Sequence, residues 1–261
     1  MYAFDVTRPK TVDEAVAALS QEDAQALGGG QTLIPTLKQR LASPSALVSL
    51  TGIEDMKGVC QDGDTLVIGG GTTHGTVASE GGAYPALAAL ASNIGDPAVR
   101  NRGTIGGSLA NNDPSACYPS AALASNATIV TNSREIAADD YFQGLFTTAL
   151  DEGEIITSVR FPIPQAANYQ KFVQPASRFA LVGVFVSKHA DGVRVAVTGA
   201  SEDGVFRWSD AEDALSGNFS PDAVDGLTAS ADGLMTDLHG DAEYRAHLIK
   251  VLTKRAVAAC Q

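Results

Sequence analysis

The spacing of apolar and polar residues predicts a small α/β unit at the start of the chain. Residues 11–20 place their apolar side chains on one helical face, and Thr11 followed by Glu14 is typical of a capping box. The elements predicted after this helix are a strand at 24–27, a helix over 32–41 and a strand at 46–50. We therefore expect a first subdomain that covers residues 1–55.

A second region follows, in which short strands and helices are mixed. The predicted elements are strands at 65–69, 127–131 and 154–161, helices at 84–91 and 119–123, and a polar, turn-rich bridge at 96–102. Residues 154–161 alternate between apolar and polar at period two, as a half-buried strand does. Pro162 and Pro164 interrupt this pattern. We therefore expect a second subdomain over residues 56–164.

The last third of the chain predicts a small sheet covered by helices. Apolar runs at 181–186 and 192–197 are separated by a turn signal, Ala190-Asp191-Gly192, which is typical of a β-hairpin. Residues 221–260 have a helical pattern. We therefore expect an α+β domain over residues 165–261, and an α+β fold for the whole chain.

Composition and charge exclude several classes of function. The 261 residues carry a formal net charge of −12, so a nucleic-acid backbone would be repelled. The cysteines, Cys60, Cys117 and Cys260, are few and far apart, which predicts neither a zinc nor an iron–sulfur ligand set and fits a reducing cytoplasm. The start of the chain lacks the pattern of a signal peptide, and no apolar run has the length of a membrane span. We expect a cytoplasmic protein.

Two short segments combine bare backbone with a hydroxyl side chain. The first glycine segment is Gly28-Gly29-Gly30-Gln31-Thr32, and the second glycine segment is Thr104-Ile105-Gly106-Gly107-Ser108. Backbone N–H groups in such loops form concavities that bind anions. Neither segment is a Walker loop, and the G-x-G-x-x-G fingerprint is absent. Two segments in one chain indicate a diphosphate held from two sides, and so a dinucleotide cofactor.

Longer motifs around these segments resemble a known family. Residues 29–35 look like the first pyrophosphate loop of the FAD-binding medium subunit of molybdenum hydroxylases, and residues 96–108 resemble its second loop almost residue for residue. Residues 171–172, 175–178 and 181–184 resemble the start of its C-terminal domain. The family includes carbon monoxide dehydrogenase and xanthine dehydrogenase, and the resemblance runs in order over about residues 1–200.

The resemblance implies a fold and a set of cofactor-binding residues. The fold is a two-part FAD-binding domain of the vanillyl-alcohol-oxidase-like (PCMH) type followed by a small α+β domain, with FAD extended between the first two parts and its ring near the third. The implied binding residues are Gly28, Gly29, Gly30, Gln31, Thr32, Leu33, Thr72, Thr73, Ile94, Thr104, Ile105, Gly106, Gly107, Ser108, Ile156 and Lys171. Among them, Ile94 would pack on the cofactor, and Ile156 and Lys171 would lie near the flavin ring. No His or Cys is placed for a covalent flavin link.

The sequence departs from the family at one position near the second glycine segment. Xanthine dehydrogenases carry a carboxylate where this chain has Cys117. Asp113, four residues earlier, is one candidate substitute. The other interpretation is that Cys117 is a small buried apolar residue, as most free cysteines are.

The resemblance also implies electron transfer within a complex. Electrons would leave a molybdopterin centre on a large subunit, pass the [2Fe–2S] clusters of a small subunit and reach FAD here, then a quinone or NAD. The assembly would be a dimer of heterotrimers, and this chain needs no catalytic acid or base of its own. Two alternatives stay open: a free-standing FAD-dependent oxidase or dehydrogenase, and a binding module whose glycine segments are only turns.

Overall fold

The computed structural model describes residues 1–260, and its strands form three main sheets that follow one another along the chain. The N-terminal sheet is parallel, with strands in the order Asp5–Thr7, Ala46–Ser49 and Ala24–Leu27. Its helices are Val12–Leu19 and Leu33–Lys38. Thr11 Oγ1 accepts a hydrogen bond from the Glu14 N–H at 3.2 Å, which confirms the predicted helix start.

The central sheet is antiparallel and has five strands. Their order is Val59–Asp62, Thr65–Gly69, Ile156–Pro162, Thr128–Thr131 and Glu135–Ala137, and a separate two-stranded ribbon pairs Phe142–Gly144 with Thr147–Thr148. The helices of this part are His74–Glu80, Pro85–Ser92, Pro97–Arg100, Ile105–Asn111, Tyr118–Ala124 and Ala138–Tyr141. Every residue of Tyr118–Ala124 is buried, because this helix also packs against the C-terminal sheet.

The C-terminal sheet is an antiparallel meander of four strands. These are Ala166–Val173, Ala180–His189, Gly192–Ser201 and Gly204–Arg207 in sequence order. The predicted hairpin is confirmed, with His189 opposite Gly192. The helices Ser209–Gly217 and Ala242–Ala259 and the 3₁₀ turn Pro221–Val224 accompany the sheet.

The expected helix over 221–260 is wrong for residues 225–241, where the structure has turns and no helix. Three glycines interrupt that stretch, and glycine is a poor helix former. The buried Arg245 fixes it instead, since its Nη2 donates to Asp237 Oδ2 at 2.8 Å while its Nη1 donates to two carbonyls of the sheet.

Two short helices occupy the segment that we expected to be a turn-rich bridge followed by a glycine loop. Asp96 caps the first, Pro97–Arg100, and Thr104 caps the second, Ile105–Asn111. The α+β class is confirmed. The domain limits at residues 55 and 164 stay a prediction, and the three sheets draw their strands from residues 5–49, 59–162 and 166–207. Among the described residues, no helix combines the length and apolarity that crossing a bilayer requires.

Candidate functional site

One cavity of about 500 Å³ is lined by residues from all three parts of the chain. This volume is typical of sites that bind small molecules and cofactors. The predicted cofactor-binding residues that line it are Gly28, Gly29, Gly30, Gln31, Thr32, Leu33, Ile94, Thr104, Gly106, Gly107, Ser108, Ile156 and Lys171. The two glycine segments and the positions near the predicted flavin ring therefore share one cavity.

The two glycine segments touch each other directly. A Cβ added to Gly29 would lie 1.8 Å from the backbone oxygen of Arg102, and one added to Gly28 would lie 3.0 Å from Thr104 Oγ1. The absence of a side chain at Gly29 is thus required by its contact with the backbone that immediately precedes the second glycine segment. Gly30 has a different reason, since its φ of +71° lies in the left-handed region that favours glycine.

The first glycine segment presents free backbone donors to the cavity. Within residues 1–260, the N–H groups of Gly29 to Leu33 donate no hydrogen bond to another group of the chain. Thr32 precedes the helix Leu33–Lys38 without a side-chain bond to it, so its hydroxyl is also available. Successive unpaired N–H groups form a concavity that binds anions.

The second glycine segment differs, because its N–H groups are already bonded. Those of Ile105 and Gly106 donate to backbone oxygens of the neighbouring Gly70–Thr72 turn at 3.1 and 2.9 Å. The N–H of Gly107 donates to Thr104 Oγ1 at 3.1 Å, and that of Ser108 donates to the Thr104 carbonyl. This segment is the first turn of a helix, and it offers the cavity side-chain hydroxyls and the bare face of Gly107.

Three of the predicted binding residues do not line the cavity. Thr72 is buried and its hydroxyl bonds the N–H and carbonyl of Gly58 at 2.9 and 3.0 Å. Thr73 caps the helix that begins at His74. Ile105 is a fully buried core side chain. Each of the three adjoins a lining residue in sequence, namely Gly71, His74 and Thr104, and a direct contact with the cofactor stays a prediction for each.

The remaining predicted positions lie at the part of the cavity that the C-terminal sheet borders. Ile156 is buried at the start of its strand, and Ile94 is half-buried in a turn. The Lys171 ammonium donates to the carbonyl of Asn93 at 3.0 Å. The lysine therefore holds backbone next to Ile94 in addition to placing a positive charge at the cavity.

A neutral histidine packs against Gly103, the residue that precedes the second glycine segment. His74 is 5% exposed, its ring packs on Tyr118 with centroids 5.3 Å apart, and a Cβ added to Gly103 would lie 2.5 Å from His74 Nε2. Burial, together with the positive charge of Arg100, lowers the pKa of His74 to about 4. Its Nδ1 is buried and has no partner within the described residues, and the residue lines the cavity.

Cys117, at which the sequence departs from the family, and Asp113, its candidate substitute, both line the cavity. Cys117 is 5% exposed and is a free thiol. Asp113 is partly buried, which raises the pKa of its carboxyl, and its Oδ1 accepts the Ser115 N–H at 2.8 Å. The structure thus brings a carboxylate and a thiol to the same wall.

Sequence reasoning missed two parts of the wall. Gly70 and Gly71 line the cavity, whereas we had selected the two threonines that follow them. The turn between the first two strands of the C-terminal sheet contributes Ser177, Arg178 and Phe179, and the Phe179 side chain is 45% exposed. An exposed aromatic residue beside two apolar strands carries no distinct sequence signal, because only the hairpin fold brings it to the cavity.

Comparison with known proteins decides the family. A profile of the FAD binding domain in molybdopterin dehydrogenase matches residues 2–164, more than half of the chain. The chain belongs to this family. FAD is accordingly its cofactor, it is a medium subunit of molybdenum hydroxylases, and it is classed with the oxidoreductases. The resemblance stated from the sequence is confirmed.

Similar proteins match it almost from end to end. It is 35% identical to the nicotine 6-hydroxylase medium subunit of Paenarthrobacter nicotinovorans, over 98% of this chain and 96% of that one. It is 30% identical to the glyceraldehyde dehydrogenase medium chain of Sulfolobus acidocaldarius, over 97% and 96%. A solved structure of carbon monoxide dehydrogenase from Hydrogenophaga pseudoflava superposes with a TM-score of 0.89 at 34% identity, covering 99% of this chain and 97% of that one.

The residues of the cavity fit the chemistry of FAD. Its diphosphate needs hydrogen-bond donors, which the free N–H groups from Gly29 to Leu33 and the Thr32 hydroxyl supply. Its flavin ring needs apolar neighbours, and the lining residues include the apolar Ile94, Ile156 and Phe179 as well as the cationic Lys171. The unpartnered Nδ1 of His74 adds a buried polar atom at the same cavity.

Proposed function

We propose that this chain binds one FAD noncovalently in the cavity described above and passes electrons from the [2Fe–2S] clusters of a partner subunit to an external acceptor. The observation that carries the proposal is the run of free N–H groups of the first glycine segment in a cavity that all three parts of the chain line. The two features together suit an extended ligand with an anionic centre.

Each wall of the cavity has a distinct task in this proposal. The first glycine segment holds the diphosphate through backbone N–H groups, and Thr32 and Ser108 add hydroxyls to it. Ile94, Ile156 and Phe179 exclude water from one region, while the positive charge of Lys171 favours an anionic form of a bound ring. Bound FAD supplies the redox chemistry of its isoalloxazine. The chain itself orients the cofactor and sets its electrostatic surroundings.

The names of the relatives support a role inside a complex. Those proteins are subunits of enzymes named for nicotine, carbon monoxide and glyceraldehyde, and yet they align with nearly the whole of this chain. One medium-subunit fold thus accompanies unrelated substrates, so we infer that substrate oxidation takes place on another chain. We propose a large molybdopterin subunit, a small [2Fe–2S] subunit and a dimer of such heterotrimers, with a quinone or NAD as acceptor. Three free thiols fit a cytoplasmic location.

The first experiment tests cofactor binding. The purified full-length chain should show the visible absorption of oxidised flavin, and precipitation with acid should release all of it as free FAD. Cys117 is the thiol that lines the cavity among the described residues, so a Cys117→Ser variant is the control for a covalent link. Yellow colour that stays with the precipitated wild-type protein, and is lost in Cys117→Ser, would contradict noncovalent binding.

The second experiment tests the role in electron transfer. The isolated chain loaded with FAD should not oxidise carbon monoxide, xanthine, N-heterocycles or aldehydes, and capture of the chain from its native cell should recover a molybdenum subunit and a [2Fe–2S] subunit. Substrate oxidation by the single purified chain would instead favour the free-standing FAD-dependent dehydrogenase.

A further inference from the structure

The turn Asn93–Gly95 lies just beyond the end of a helix, and its Ile94 lines the cavity. The turn follows the helix Pro85–Ser92. The turn lies beyond the last helical residue, Ser92, so its carbonyl groups have no partner in the helix ladder. In this protein the carbonyls of Asn93, Ile94 and Gly95 all accept hydrogen bonds from cationic side chains.

Two cations from different parts of the fold supply these bonds. Lys171 Nζ donates to the Asn93 carbonyl at 3.0 Å from the first strand of the C-terminal sheet. Arg100 Nη1 donates to the Ile94 and Gly95 carbonyls at 3.1 and 3.0 Å from a short helix that precedes the second glycine segment. The turn is therefore held by two cations that come from different parts of the fold.

The geometry favours a positioning role for both cations. One nitrogen of the Arg100 guanidinium serves two successive carbonyls, and a lysine ammonium, which sits one bond closer to the backbone, is less able to reach both. The turn has little freedom besides, because Gly95 has a φ of +50° and a Cβ added there would lie 3.0 Å from Val99. Ile94, Gly95, Val99 and Lys171 all line the cavity.

We propose that Arg100 and Lys171 are positioning residues that hold Ile94 against the flavin ring and thereby set the reduction equilibrium of the cofactor. The proposal rests on the proposed function, in which FAD occupies this cavity. An apolar side chain held on the ring excludes water from it, and the surroundings of the ring are the means by which a protein tunes a flavin. Within the described residues, the first glycine segment, which would hold the diphosphate, makes no hydrogen bond to the turn.

The test compares variants of the full chain loaded with FAD. The variants are Arg100→Lys, Lys171→Met, Ile94→Ala and the double variant Arg100→Lys/Ile94→Ala. Lys250→Met is the matched control, because the Lys250 ammonium also donates to a backbone carbonyl, that of Asp225, from a helix that does not line the cavity. The readouts are the FAD content per chain, the visible circular dichroism of the flavin and its midpoint potential at fixed pH, together with the melting temperature of each apoprotein.

We expect full FAD content in the three single variants and an altered flavin dichroism. We also expect about a tenfold change in the equilibrium between oxidised and two-electron-reduced flavin, which corresponds to ~30 mV. Arg100→Lys should add little once Ile94 is alanine, because both changes act through the same side chain. Arg100→Lys keeps the positive charge, so a change in this variant separates positioning from a purely electrostatic effect.

The possible failures are distinguishable. A wild-type chain that binds no FAD overturns the proposed function itself. A wild-type chain that binds FAD, with Arg100→Lys and Lys171→Met matching it in dichroism and potential, overturns the positioning role alone. Additive shifts from Arg100→Lys and Ile94→Ala also overturn it, as does an equal shift in Lys250→Met.

Discussion

The first glycine segment is a loop with free N–H groups, whereas the second is the opening turn of a helix whose N–H groups are bonded within the protein. Both contain adjacent glycines beside hydroxyl residues, so they look equivalent in sequence. The difference arises from their neighbours, since the Gly70–Thr72 turn and Thr104 itself take up the donors of the second segment. Two segments of similar composition thus have different roles. The first offers backbone N–H donors to the cavity, and the second packs against the first and shapes the cavity.

The contact between the segments gives the largest expected effect. Gly29→Ala places a Cβ 1.8 Å from the backbone oxygen of Arg102, two residues before the second segment, so the first segment must move away from it. We expect loss of FAD binding and a fall of about 3 kcal/mol in the free energy of unfolding of the apoprotein, at the upper end of overpacking costs. Gly82→Ala is the control, because a Cβ there meets no atom within 4 Å. Wild-type FAD content and stability in Gly29→Ala would show that the segments are not in contact.

Acid should act on the second segment through His74. Its folded pKa of about 4 lies below the ordinary value of 6.5, so the unfolded chain binds more protons and stability falls as the pH drops from 6.5 towards 4. The contribution is about 3 kcal/mol when complete. His74→Phe keeps an aromatic ring against Tyr118. The free energy of unfolding, measured with urea between pH 6.5 and 4, should therefore fall less in this variant than in wild type. His247→Gln, at an exposed histidine, is the control. A decline in His74→Phe as steep as in wild type would argue against the buried neutral histidine.

A larger side chain in either glycine segment tests which segment faces the cofactor. Gly30→Val introduces a branched side chain at a φ of +71°, which costs roughly 1–2 kcal/mol in addition to weakening FAD binding. Gly107 is exposed, and a Cβ there meets only Thr104 Oγ1, at 2.9 Å. Gly107→Val should therefore lower FAD affinity about tenfold or more and leave the apoprotein largely folded.

The control for Gly107→Val is Gly82→Val. The FAD affinity of each variant is measured by titrating its apoprotein with FAD. Retention of FAD in Gly107→Val alone would mean that the first segment holds the diphosphate without help. Full FAD binding in both Gly30→Val and Gly107→Val would show that neither glycine segment contacts FAD.

The two threonines give the smallest and most specific contrast. Thr104→Val removes the Oγ1 that accepts a hydrogen bond from the Gly107 N–H, which should lower the free energy of unfolding by about 1 kcal/mol, as loss of an N-cap does. Thr32 makes no side-chain bond to its helix, so Thr32→Val should leave stability within about 0.5 kcal/mol of wild type and lower FAD affinity. Thr32→Ser and Thr104→Ser, which keep the hydroxyl, are the controls. Equal losses of stability in Thr32→Val and Thr104→Val would contradict the structural difference between the two segments.

Local patterns in the sequence predicted much of the fold. The N-cap at Thr11, the strand predicted at 127–131 and found at 128–131, and the hairpin at 190–192 were correct, because caps, apolar runs and turn residues act over a few neighbouring positions. The helix predicted over 221–260 was too long, because apolar spacing alone did not reveal the turns at 225–241. Arg245 holds that stretch through its bond to Asp237. The helix Ile105–Asn111 was missed, because its two glycines and its short length weaken every local signal.

For the site, the sequence by itself determined the chemistry and the family. Adjacent glycines, hydroxyls and a long motif at 96–108 indicated FAD, and these features depend only on which residues are present. Tertiary structure decided which groups are free to act. It placed Gly29 against Arg102, bonded Thr72 to Gly58, directed Lys171 to a carbonyl and brought Phe179 to the cavity. A donor is free or occupied according to neighbours that lie far away in sequence, and only the folded chain brings those neighbours together.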